Sequence, residues 1–201
     1  GRIARTAMRE ICDTAVVADG YASWMTISEG RNGTLVKDRA GLDLYSGLPG
    51  IALFLGHAAK EFDDREVAEM SCAATKNIFA LIEHGAHKAL CPGGHAGLGG
   101  LAYAISQLAA LHRDIPAEGA LAAVTKTLAD ANIAEAKLEL MDGLAGALLG
   151  LRPCAANNNL RAKLLIEICR RVELSDVNAP QDAVFSQPGM AHGFAGLQAA
   201  L

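Results

Sequence analysis

The chain has 201 residues, 51% hydrophobic but only 4% aromatic, with a mean hydropathy of +0.22 and a formal net charge of −4. Its apolar mass is mostly Ala and Leu, which favours helices over sheets. The slight negative charge, without any basic block, argues against nucleic acid or an anionic membrane as partner, and no apolar run reaches the roughly 18 residues a membrane span needs.

The chain starts at Gly1 and stops inside a helical pattern at Leu201, so it reads as a piece of a longer protein. Ile3, Ala7, Ile11, Ala15 and Ala18 recur at helical spacing and predict a first outer helix. Thr26 to Asp43 resists a helical reading; an irregular connection of that length is expected to cover or build a site. Four segments then share one frame: "YSGLPGIALFL" from Tyr45, "HAGLGGLAYAI" from His95, "MDGLAGALLGL" from Met141 and "AHGFAGLQAAL" from Ala191. Each opens on G-x-x-G, at Gly47/Gly50, Gly97/Gly100, Gly143/Gly146 and Gly193/Gly196, so the spacings are 50, 46 and 50 residues. A single G-x-x-G says little, but four in register, each leading an Ala/Leu run, mark an internal repeat.

Between these runs lie amphipathic segments. Val67, Met70, Ala74, Ile78 and Leu81 form one apolar stripe. Ala117, Leu121, Val124, Leu128 and Ala131 form another behind Pro116, which suits a first-turn position, and Leu160, Leu164, Ile168 and Val172 a third. The glycine-led runs are apolar nearly all round and must be buried on most sides. Alternation of the two kinds predicts an all-α chain of stacked helical hairpins: a partial α/α toroid with about four inner helices, outer helices around them, and no domain boundary over residues 1–201. Ser175 to Ala191, with Pro180 and Pro188, is a second irregular stretch, and it leads straight to His192.

The glycines have two readings. Without side chains they let inner helices approach closely and ease the loop-to-helix turn. They also place four helix starts at one end of a bowl, where free N–H groups and positive dipole ends would suit an anion. The residues just before each leading glycine, Ser46, Ala96, Asp142 and His192, would stand on the rim.

"DLYSGLPGIALFL", "GLGGLAYAISQLA", "DGLAGALLGL" and "GMAHGFAGLQAAL" together resemble the LanC-like cyclases. With Trp24 and the loop that follows it, they are most similar to the C-terminal cyclase domain of LanM-type lanthipeptide synthetases. The likeness runs from about Trp24 to Leu201. It implies an α/α toroid in which a cysteine thiol of a dehydrated precursor peptide adds across dehydroalanine or dehydrobutyrine, giving a lanthionine or methyllanthionine thioether. It also implies a dehydratase domain upstream on the same chain and a zinc ion held by two Cys and one His. Those ligand motifs would fall after Leu201, so no metal ligand is expected in this chain. Metal-bound sulfur stays deprotonated at neutral pH, and the thiolate is the nucleophile.

By the same resemblance His192 is the acid or base of the site, and an imidazole suits proton transfer near neutral pH. Glu139 stands where the family has an Asp, its carboxylate moved by one methylene; as a catalytic residue it either orients His192 or the substrate from slightly further back, or the site is altered and this copy impaired. Asp142 offers a second carboxylate toward substrate or an N-cap for the third inner helix. Tyr45 either lines the mouth or packs. His95 reads as a turn residue, Cys91 as loop packing, and His57, His84, His87 and His112 lack metal-ligand spacing. Five scattered cysteines without a CxxC fit a reducing, cytoplasmic setting. An isolated piece is expected to be inactive and to expose apolar faces at its cut edges. Two other functions fit a helical toroid: a non-catalytic scaffold that binds a peptide or glutathione, and an α/α-barrel glycosidase, whose acids would come from different hairpins.

Overall fold

A computed structural model describes residues 1–29, 32–154, 157–174 and 189–201. Helix α1 (Arg2–Asp13) is followed by two antiparallel hairpins, β1 (Val16–Ala18) with β2 (Tyr21–Ser23) and β3 (Met25–Glu29) with β4 (Leu35–Arg39). Then come α2 (Leu48–Phe62), α3 (Arg65–Glu83), a 3-10 turn at Ala86–Ala89, α4 (Leu98–Leu111), α5 (Glu118–Asp130), α6 (Leu144–Gly150), α7 (Asn158–Glu173) and α8 (Phe194–Ala200). The protein is mostly helical, and among the described residues no helix is long and apolar enough to cross a membrane.

The glycine-led helices α2, α4, α6 and α8 pack consecutively side by side, and α3, α5 and α7 each pack on the inner helix that precedes them. Burial repeats with the frame: Leu48, Leu98 and Leu144, one residue after the leading glycine, are all at most 1% exposed. Leu55, Ile105 and Leu151, eight residues after it, are fully enclosed as well. Each such side chain contributes about 1.5–3 kcal/mol of transfer free energy, so the repeat is written chiefly in these positions. On the outer helices Val67, Ala74 and Ile78, Val124 and Leu128, and Leu160, Leu164 and Ile168 face inward. The α2–α3 link is only two residues long: Asp63 takes the left-handed conformation (φ 52°), and the Asp64 carboxylate accepts from the Val67 N–H as an N-cap.

Three expectations need correction. The first helix ends at Asp13, and Ala15 and Ala18 lie beyond it, with Ala18 in β1. The turn between β1 and β2 is Asp19-Gly20, both at positive φ (52° and 78°), the geometry that a two-residue hairpin requires. Thr26 to Asp43 is non-helical as expected but not wholly irregular, since β3 and β4 occupy half of it in the register Met25↔Arg39 to Glu29↔Leu35. The first hairpin packs on α3, and two side-chain hydrogen bonds tie the segment from Ala22 to Trp24 to the helices. The Trp24 indole N–H donates to the Ile11 carbonyl at 2.7 Å, and Asn77 Nδ2 donates to the Ala22 carbonyl at 3.0 Å. Pro116 also stands before the Ala117 cap of α5 rather than in its first turn. Most of the second irregular stretch, residues 175–188, lies outside the described residues.

Candidate active site

The site is assembled from the turns that open the inner helices. In the third turn the Leu144 and Ala145 N–H groups donate back to the Lys137 and Leu138 carbonyls at 2.8 and 3.1 Å. The chain thus folds onto its own helix start. Gly143 is extended at the N-cap. A Cβ there would run into the Lys137 and Glu139 carbonyls, and one at Gly146 into the Leu140 carbonyl and the Gly94 backbone. Close approach, not backbone conformation, requires both glycines. The second turn repeats the pattern: Leu98, Gly99 and Gly100 N–H groups donate to the Cys91, Pro92 and Gly93 carbonyls. In the second and third turns these helix-start N–H groups are therefore not free for an anion, contrary to the expectation from sequence. Their own loops use them.

Neighbouring turns are also bonded to one another in series. The Leu44 and Tyr45 N–H groups share the His95 carbonyl, at 2.9 and 3.1 Å. His95 and Ala96 share that of Met141, at 3.1 and 3.2 Å, and Leu140 and Met141 share that of Ala191, both at 3.2 Å. Four turns thus lie edge to edge at one end of the helix row, and the third and fourth are locked next to each other.

At that third junction two sequence candidates meet. His192 Nδ1 lies 2.9 Å from Glu139 Oε2. Glu139 is buried, 5% exposed, and its two oxygens also accept from the Met141 N–H (2.9 Å, Oε2) and the Asp142 N–H (2.8 Å, Oε1). With only acceptor atoms toward these donors, the carboxylate faces an N–H, so in the neutral imidazole the hydrogen sits on Nδ1 and Nε2 is left as the acceptor. The His192 side chain remains 56% exposed, open to a substrate. One turn fixes the carboxylate and the next presents the ring.

The side chains of the other two candidates stand apart from this pair. Asp142 makes no capping bond to α6; its Oδ2 pairs with Lys137 Nζ at 2.8 Å. The Asp142 carboxylate in turn holds the Lys137 ammonium above its ordinary range. Tyr45 is on the first turn, 74% exposed, and only its backbone N–H is engaged, with His95. The turn series places it three junctions away from His192.

Lys137 went unread in the sequence. Its position, six residues before the leading glycine, equals that of Gly41 and Cys91, whose carbonyls likewise close their turns. The Cys91 thiol is pushed up by burial, with the Asp142 and Glu139 carboxylates adding to the effect, so it stays protonated and is a poor nucleophile. Among the described residues no three His, Cys, Asp or Glu side chains converge as a metal-holding group, and all five cysteines are free. These residues do not fit a zinc site, and no step is derived through one. A cavity of about 1010 Å³ between α3 and α5 is lined by none of the candidate residues.

The fold and the pair define a class: a repeat of helical hairpins that carries a carboxylate–imidazole couple on adjacent helix-opening turns. The family model described as lanthionine synthetase C-like protein matches residues 38–201, and the chain belongs to that family. No curated protein matches the chain.

Proposed function

We propose that the Glu139–His192 pair is the acid–base centre of a lanthionine-forming cyclase. His192 Nε2 takes the proton from a cysteine thiol of the substrate peptide. The sulfur lone pair forms the bond to the β-carbon of a dehydroalanine or dehydrobutyrine, and the π electrons move onto the α-carbon and its carbonyl as an enolate. The imidazolium then returns its proton to the α-carbon, so the ring nitrogen ends as it began. Glu139 holds the ring through Nδ1 and stabilises the imidazolium while it exists, as the buried carboxylate of a catalytic triad does.

The single observation behind this reading is the 2.9 Å bond between Glu139 and His192 across two turns. In the proposal the helix row continues into a closed toroid in the complete protein, and an upstream dehydratase supplies the dehydrated peptide. A zinc ion of the complete domain would draw on groups other than the described ones. The five free cysteines suit a reducing, cytoplasmic setting. A glycosidase gains no support: Glu139 and Asp142 share one turn, and Asp142 is paired with Lys137.

The test uses the complete protein and a synthetic peptide that contains one dehydroalanine and one cysteine. Thioether formation, followed as loss of alkylatable thiol by mass spectrometry, is expected with the native protein and not with the His192→Asn form. Equal rates for the two would remove His192 from the chemistry.

A further inference from the structure

A second concavity touches the same junction. Between α4 and α6 lies a recess of about 170 Å³, walled by His95, Tyr103, Leu140 and Leu149 over a floor that includes Gly146 and Gly150. Its Leu140 wall adjoins both members of the pair. Leu140 follows Glu139 in the chain, and its N–H donates to the Ala191 carbonyl, one residue before His192.

Size decides what the recess can hold. Sites for whole small molecules measure roughly 300–1,000 Å³, so 170 Å³ suits one side chain of a longer ligand. The walls are mainly hydrocarbon and the Tyr103 ring. Tyr103 is 39% exposed, unusual for a residue of α4, most of which is buried. His95 Nδ1 is one of the described buried side-chain nitrogens that lack a hydrogen-bond partner, a polar group that a bound peptide amide could satisfy.

We propose that this recess is a specificity pocket for an apolar side chain, up to about leucine in size, next to the reacting residue of the peptide. Tyr103 and Leu149 set its width. The proposal rests on the cyclase reading for the identity of the reacting residue, but the binding it predicts can be read without any turnover.

The probes are three fluorescein-labelled heptapeptides with one dehydroalanine and one cysteine, and with glycine, leucine or tryptophan beside the dehydroalanine. Affinity is read by anisotropy and thioether formation by mass spectrometry, on the complete protein and on its Leu149→Phe and Tyr103→Ala forms, each checked for helicity by circular dichroism. Burial of one leucine side chain predicts about tenfold tighter binding than for the glycine peptide, with tryptophan disfavoured. Leu149→Phe, which fills the recess, should collapse the leucine-to-glycine ratio toward one. Tyr103→Ala, which widens it, should bring the tryptophan peptide up to the leucine peptide. If either variant fails to fold, the other decides. Indifference of the native protein to the side chain, absence of binding by every peptide, or an unchanged ratio in a folded variant overturns the proposal. Selective binding without thioether formation would instead leave the pocket in place and remove the cyclase reading.

Discussion

The first and third turns are built alike and used differently. Each carries a carboxylate four residues before its leading glycine, Asp43 before Gly47 and Glu139 before Gly143, where the second and fourth turns have Gly93 and Gly189. Asp43 stays local: its Oδ1 accepts from the Ser46 N–H at 2.6 Å and the Ser46 hydroxyl at 2.9 Å. Glu139 makes the equivalent backbone bonds to Met141 and Asp142, then reaches on to His192 of the next turn. Where the fourth turn has His192, the second turn has Ala96. A carboxylate braces its own turn in both cases, and only in the third does the longer side chain also meet a ring across the junction.

The sharpest way to break this contrast is to remove the ring. His192→Asn should lower kcat for thioether formation by about 10²- to 10⁴-fold while leaving the urea midpoint within error. Next comes the shared brace itself. Gly146→Ala should cost about 3 kcal/mol in urea unfolding, because its Cβ meets backbone atoms of both Leu140 and Gly94. Gly50→Ala, opposed only by the backbone of Leu44, should cost visibly less. A reversed order would mean that the two turns are not equivalent scaffolds. Glu139→Gln should reduce kcat about 10²-fold through misplacement of His192, and Glu139→Asp, the family's residue, should retain more activity than the amide. Asp43→Asn should cost at most about 1 kcal/mol without change in thioether formation; a matching loss of activity would erase the distinction.

The smallest effect lies outside the turns. Burial holds the His87 imidazole, 3% exposed, below its ordinary range, and does the same to His112, whose Nε2 sits 2.8 Å from the Ser71 hydroxyl. Both are neutral in the fold above pH 6.5, and there they add no pH dependence. Below that value the unfolded chain binds protons first, so stability falls with pH until the folded-state pKa values are passed. Urea midpoints at pH 7.5 and 5.0 should show this loss, and His87→Gln should reduce it.

The inner helices were legible because Gly and Leu positions recur at a near-constant spacing, and Glu139 and His192 because each occupies a fixed place in that frame. The hairpins were not read. Their strands are short and expose Val16, Val17, Ile27 and Leu35, which blurs the alternation that marks a half-buried strand. One signal was there: Asp19-Gly20 between short β-branched and aromatic stretches, the dipeptide a tight hairpin turn prefers. The fate of the helix-start N–H groups could not be read, since it depends on carbonyls seven residues back in a loop of no marked composition. The Lys137–Asp142 pair spans five residues of irregular chain and follows no periodic rule.

Because every turn leans on its neighbour through the same two-into-one bond, the offset from one turn to the next is a property of the series and not of any single loop. Chemistry at one junction is in that sense portable. A carboxylate and an imidazole of suitable reach, grafted at another junction of the row, would inherit an alignment already laid down, so such a pair could move along the row by point substitutions alone.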